Sequence, residues 1–259
     1  MNTKKITALV AIIFAGLVIA LPANAKDIHL FVLSGQSNMA ALEHQKYFNP
    51  IIEKEYSGQD VIIVKNAVGG QVIRRWYKNW QPAEGVKVVD KEAHRKWFQR
   101  WCEKQGVDGV KNDELIPNGV LYDALLEDVK KALGNKKPTT ITFVWMQGES
   151  DAIEGHHEVY AESLKGVVQQ LRDDLKHNDI NVVIGLIIAK KAGKNKDALT
   201  AWNGVRKAQQ ELGESDSRWA CVSGDDLETH GIHWKKPEGY KGLGKRFADK
   251  AIELIKKHK

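Results

Sequence analysis

Five unbroken apolar runs, set apart by amphipathic stretches, constrain this chain more than any other feature. Residues 28–33, 61–65, 140–146, 182–189 and 219–222 are rich in Val, Ile, Thr and aromatics, with little strict apolar–polar alternation. A half-exposed strand alternates with a period of two, so runs of this kind are expected to be strands buried on both faces. Between them the spacing turns helical. In 118–133 the residues Val120, Leu121, Ala124, Leu125, Val129 and Leu133 fall on one side. In 158–175 the stripe is Val159, Tyr160, Leu164, Val167, Val168, Leu171 and Leu175. Pro237 suits the first turn of a last helix, along which Leu243, Phe247, Ala251, Ile252 and Ile255 follow at helical spacing. Strand–helix alternation implies a parallel sheet with helices on both faces. No repeat, low-complexity tract or linker interrupts it, so one domain is expected.

The first residues read as an export leader. Lys4 and Lys5 precede the apolar run 6–21, and Ala23-Asn24-Ala25 is a small-x-small cleavage site. The run is shorter than the ~20 residues of a comfortable membrane span. Residues 1–25 are therefore expected to be a signal peptide that is removed, leaving 26–259 periplasmic or secreted, with no stable membrane anchor. The formal charge of +6 falls by two, to +4, without Lys4 and Lys5. The lysines are scattered apart from a group at 190–196 and the C-terminal tail, which argues against a nucleic-acid partner. Cys102 and Cys221 suit either one disulfide in an oxidising compartment or two separate buried thiols. Neither their spacing nor the adjacent His156 and His157 points to a metal site.

An insert at about 71–117 breaks the pattern. Trp76, Tyr77, Trp80, Trp97, Phe98 and Trp101 stand there among Arg, Lys and Asp, and they include four of the chain's eight tryptophans. An insert this long inside a compact domain is functional or partly helical. Its aromatic rings either stack on the apolar faces of sugars or pack the insert onto the body.

Gly35-Gln36-Ser37-Asn38 directly follows the first apolar run. A strand ending in a tight Gly turn presents a serine hydroxyl at the carboxyl edge of the sheet, where open α/β folds place their ligands. To act as a nucleophile, Ser37 needs a base and donors for the oxyanion; without them a Ser-Asn pair reads as a helix N-cap. A histidine suits the base, because a neutral imidazole near pH 7 takes a proton and returns it to a leaving alcohol, and the chain has nine. Gly69-Gly70 ends the second run, and a missing Cβ there lets a backbone N–H approach a ligand closely. Gln147-Gly148-Glu149-Ser150-Asp151 follows the third run and falls at the same edge.

Four segments occur in order: Gly35-Gln36-Ser37-Asn38-Met39, Asn66-Ala67-Val68-Gly69-Gly70, Trp145-Met146-Gln147-Gly148-Glu149-Ser150-Asp151 and Gly231-Ile232-His233-Trp234. Together they resemble the SGNH-hydrolase superfamily, and within it the branch of sialate O-acetylesterase-like and acetylxylan-esterase-like carbohydrate esterases. The resemblance covers essentially all of 26–259. It implies a three-layer flavodoxin-like α/β fold of about five parallel strands with helices on both faces. It also implies a serine esterase that deacetylates carbohydrates with no metal or other cofactor. Carried onto this chain, it makes Ser37, not Ser34, the nucleophile and His233 the base. The N–H groups of Ser37 and Gly70 become oxyanion donors. The superfamily's usual Asn is absent, so Gln147 is the expected side-chain donor, and Glu149 is expected to orient neighbouring loops or the base. Gln36, Asn38, Trp76 and Trp234 are further candidates for contact with the substrate.

One position departs from the pattern. The family's acid stands three residues before the base, and here that residue is His230. An imidazole cannot hold the base's Nδ1–H as a carboxylate does, and disabling that partner costs ~10⁴ in rate in a serine protease. Asp225, Asp226, Glu228 or Glu149 are left to supply the carboxylate. The alternatives are a Ser–His dyad oriented by a backbone carbonyl, or a weakened enzyme or non-catalytic sugar binder. An arylesterase- or lysophospholipase-like hydrolase would need a long apolar acyl groove, and no aliphatic insert is present to build one.

Overall fold

The structure is a computed structural model that describes residues 26–106, 108–111, 114–189 and 195–258. The leader expected at 1–25 and most of the lysine group at 190–196 lie outside the described residues. From the N-terminus the elements are β1 (Ile28–Gly35), α1 (Ser37–Ala41), α2 (His44–Tyr47), α3 (Asn49–Glu55), β2 (Asp60–Ala67) and a 3₁₀ turn (Ile73–Arg75). There follow α4 (Glu92–Gln105), α5 (Val120–Leu133), β3 (Thr140–Met146), α6 (Glu149–Glu154), α7 (His157–Leu175), β4 (Ile180–Gly185) and α8 (Lys196–Glu214). The chain ends with β5 (Trp219–Val222), β6 (Thr229–His230), β7 (His233–Trp234) and α9 (Glu238–Lys257).

Five strands form one parallel sheet in the order β2-β1-β3-β4-β5. This is the doubly wound arrangement, with the switch point between β1 and β3. Successive residues of β1 serve opposite faces. Leu30 and Val32 pack with α5, α7, α8 and the insert, through Leu125, Val129, Leu164, Val168, Trp202 and Val205. Phe31 and Leu33 pack with α1–α3 and α9, through Met39, Phe48, Ile52, Leu243, Phe247 and Ala251. Each such side chain contributes about 1.5–3 kcal/mol on burial, so the absence of alternation in these runs reflects helices covering both faces of the sheet.

Strand β4 corrects the expectation of 182–189: it starts earlier and leaves the sheet at Gly185. Its neighbour β5 ends at Val222, and the last rung is Leu186 N–H to Val222 O at 2.9 Å. Beyond it the helix α8 satisfies the backbone instead. Gln209 Oε1 accepts from Ile187 N (3.0 Å), and Trp202 Nε1 donates to Ile188 O (2.8 Å). The apolar character of 186–188 thus records burial against a helix rather than a ladder. The last helix begins one residue after Pro237.

The insert is partly helical and is tied down by buried charge. Arg74 and Arg75 both donate to Asp90 Oδ1 and to Ile116 O, and Asp90 Oδ2 accepts from Ile116 N at 2.6 Å. Start, middle and end of the insert are thereby stapled together. Burial pushes the Arg75 guanidinium down to about 10, with the Arg74 charge acting the same way and Asp90 opposing both. Cys102 lies buried in α4 and Cys221 half-buried in β5, as separate free thiols.

Candidate active site

The sheet register brings three loops to one level. Gly35 pairs with Ala67 on one side and with Met146 on the other. Ser37, Gly69–Gly70 and Gln147–Glu149 therefore all emerge at the carboxyl edge, around the switch point. Gly35 makes this possible, with φ at +141° and its α-carbon packed against the backbone of Met146. Ser37 opens α1, so its amide has no acceptor within the helix. Lys65 closes the other end of that short helix by donating to Ala40 O (2.9 Å) and Leu42 O (2.7 Å). Ser34 is fully buried and donates to Asn66 O at 2.8 Å, so it supports β2 and does not face the cleft.

His233 comes from a tight hairpin. β6 and β7 pair antiparallel, with His230 opposite His233, and Gly231 turns the chain at φ +65°. His233 Nε2 stands 3.1 Å from Ser37 Oγ across 196 positions of sequence, and both residues are half-buried. This pair is within reach of proton transfer. Trp234 anchors the hairpin from below, donating from Nε1 to Gly224 O at 3.0 Å.

Three of the four carboxylates proposed for the missing acid are engaged elsewhere. Asp225 pairs with Arg206, and Glu228 with Lys235. Asp226 accepts from both Arg246 Nη1 and Nη2 at 2.6 Å, and the guanidinium holds its carboxyl at about 2. Glu149 is buried at the start of α6, where its Oε1 accepts from Asn38 Nδ2 at 2.6 Å. It therefore meets the neighbour of the nucleophile. His230 is exposed on the hairpin.

Gln147 is corrected as an oxyanion donor. It is fully buried, and its two amide hydrogens go to Gln71 O (3.1 Å) and to Asp151 Oδ2. Gln36, Asn38, Trp76 and Trp234 are corrected as substrate contacts, since each is at most 2 % exposed. Gln36 Oε1 faces the N–H groups of Gly148 and Ser150 at 3.5 and 3.3 Å. Trp76 meets Trp145 edge-on at 5.1 Å inside the core, and Trp80 meets His156 edge-on at 5.2 Å. These insert rings pack the insert onto the body. Gly70 is exposed with φ at +73°, and a Cβ on Gly69 would lie 3.5 Å from Ser37 Cβ. The Gly69–Gly70 turn thus lies against the nucleophile.

The residue reading passed over Asp151. It lies fully buried, with Oδ2 accepting from Ile73 N at 2.9 Å and from Gln147. Burial pushes its carboxyl up to about 7, against the pull of those two hydrogen bonds. The folded protein therefore holds a proton that the unfolded chain releases near pH 4. The stability this proton contributes is present in full below pH ~4 and is lost as pH rises through about 7. Asp151→Asn is expected to flatten that slope between pH 5 and 7, as read by urea unfolding at each pH.

The sheet has the strand order and direction that the resemblance implies, with Ser37 and His233 side by side at its switch point. Residues 44–253 match a family model described as carbohydrate esterase, sialic acid-specific acetylesterase, and the chain belongs to that family. The matched span contains His233 and begins after Ser37. No curated protein matches the sequence. Among solved structures, a carbohydrate acetylesterase from Xanthomonas citri is similar, with a TM-score of 0.59 at 15% identity, over 87% of this chain and 56% of that one. NanS gives a TM-score of 0.57 at 12% identity, over 90% and 99%. A protein of Arabidopsis thaliana gives 0.55 at 17%, over 87% and 98%. At such identities the likeness speaks for the fold.

Proposed function

We propose that the protein is an exported serine esterase that removes O-acetyl groups from carbohydrates. The observation that carries this reading is the 3.1 Å approach of His233 Nε2 to Ser37 Oγ at the switch point. Ser37 Oγ attacks the acetyl carbonyl while His233 takes its proton, a role worth ~10²–10⁴ in rate. The N–H groups of Ser37 and Gly70 receive the oxyanion, each such donor being worth ~10²–10³. The tetrahedral intermediate collapses to an acetyl-enzyme, and His233 returns the proton to the departing sugar oxygen. Water, deprotonated by His233, then releases acetate and restores Ser37. The carbohydrate substrate is supported by the family to which the chain belongs. Export is supported by the basic, apolar and small-residue succession of residues 1–25.

The test is acetate release from p-nitrophenyl acetate and from a panel of acetylated xylan, pectin and sialic acid, for wild type and Ser37→Ala. The wild type is expected to deacetylate at least one glycan, and Ser37→Ala to lose at least ~10³-fold. Equal rates for the two proteins would overturn the reading.

A further inference from the structure

With the expected acid position held by His230, the structure has to orient the base by other means. Asn38 is fully buried, and its amide is fully committed. One Nδ2 hydrogen goes to Glu149 Oε1 at 2.6 Å and the other to Ile232 O at 2.9 Å, while Oδ1 accepts from the Tyr240 hydroxyl at 2.9 Å. Two acceptors on one side and a hydroxyl donor on the other leave a single orientation, because a flipped amide would turn its oxygen toward a carboxylate. Glu149 and Tyr240 are both buried as well.

The four partners come from four elements. Asn38 follows the nucleophile on α1, and Ile232 precedes the base in the β6–β7 hairpin. Glu149 opens α6, and Tyr240 stands in the first turn of α9. Two consecutive residues of the nucleophile turn thus grip two consecutive residues of the base loop. The Ser37–His233 contact at 3.1 Å runs beside the Asn38–Ile232 hydrogen bond at 2.9 Å. The Glu149 carboxylate makes its bond to Asn38 short and strong when ionised, and it holds the amide where the other N–H meets Ile232.

We propose that Asn38 is a positioning residue that holds the base loop at reaction distance from Ser37, with Glu149 and Tyr240 fixing its amide. This rests on the serine-esterase reading above. Being buried, Asn38 meets no substrate, so its loss falls on kcat and leaves KM alone. A misplacement of about 1 Å costs ~10²-fold in rate.

The experiment measures kcat and KM on p-nitrophenyl acetate for Asn38→Ala, Tyr240→Phe and the double variant, with active sites titrated by a serine-reactive phosphonate. Wild type and Ser37→Ala run alongside. Tyr240→Phe, nearly isosteric, is expected to lower kcat about 3–10-fold, and Asn38→Ala about 10²-fold, with KM within about twofold in each. The double variant is expected to be no slower than Asn38→Ala, because the Tyr240 hydroxyl acts through Asn38. Glu149→Gln, whose amide oxygen still accepts from Asn38, is expected to keep more activity than Glu149→Ala. A kcat within twofold of wild type for Asn38→Ala, multiplying losses in the double variant, or a change confined to KM would each overturn the proposal. An inactive wild type would instead count against the esterase reading. The positioning claim is then read from a crystal structure of Asn38→Ala. There His233 Nε2 is expected to move out of hydrogen-bond reach of Ser37 Oγ, and an unchanged separation would contradict the proposal.

Discussion

Replacing His233 with alanine is expected to lower kcat/KM for a sugar acetate by about 10⁴-fold, and for p-nitrophenyl acetate by only about 10²–10³-fold. The difference follows from the leaving group. A sugar alkoxide must receive a proton as it departs, and His233 is the group that returns it. p-Nitrophenolate leaves without one, so in the acylation step only the activation of Ser37 is lost. The measurement is steady-state kinetics on both esters, and an equal loss on the two would remove the acid half of the assignment. Asp226→Asn serves as the contrast. Its carboxylate is committed to Arg246 on the exposed surface, and a change under about threefold is expected, in the range of surface ion pairs.

Gly35→Ala is expected to cost more than about 4 kcal/mol, enough that little folded protein is recovered. At φ +141° a side chain is strained, and a Cβ there would lie 2.6 Å from the carbonyl carbon of Met146 and 3.0 Å from its nitrogen. Those are backbone atoms of the adjacent strand, which no rotamer change can move. To admit a methyl group, β1 and β3 must part at the Gly35–Met146 pair and at the Gln36 N–H to Met146 O bond of 2.9 Å. That is also where Ser37 is placed, so any folded remainder is expected to lack activity. Ser37→Ala only removes a hydroxyl from a half-buried position and is expected to unfold within about 1 kcal/mol of wild type. Urea midpoints of the two variants make the comparison, and a wild-type midpoint for Gly35→Ala would contradict this account of the turn.

The sheet was legible because its strands are buried on both faces. Thr140–Met146 and Trp219–Val222 are apolar runs that stop where polar or turn-forming residues begin, and the strands have those bounds. Residues 186–188 misled because apolarity reports burial, while a ladder also requires a partner strand, and β5 ends too soon to supply one. Helix α8 escaped notice because its buried stripe mixes Trp202, Val205 and Leu212 with Gln209, a polar residue that serves the backbone of β4's exit.

At the site, position after a strand pointed to Ser37, while His233, one of nine histidines, was singled out by the family resemblance; the two lie side by side in the fold. Direction was not legible. Whether Trp76 faces a cleft or the core depends on Trp145, far away in sequence, and Trp234 is turned inward by the carbonyl of Gly224. The aim of Gln147 is set by Asp151, four residues on, whose burial has no signature in the chain itself. Likewise the motif fixes Asn38 beside the nucleophile, yet only the hairpin and α9 bring Ile232 and Tyr240 to its amide.

The central claim is that Ser37 carries the acetyl group between the two halves of the reaction. Wild-type protein mixed with p-nitrophenyl acetate, quenched in acid within the first turnovers and weighed intact, tests this directly. One added acetyl group is expected per chain, located by peptide fragmentation on Ser37 and missing from Ser37→Ala. Rapid acetate release with no adduct on Ser37, or an adduct that persists in Ser37→Ala, would contradict the account.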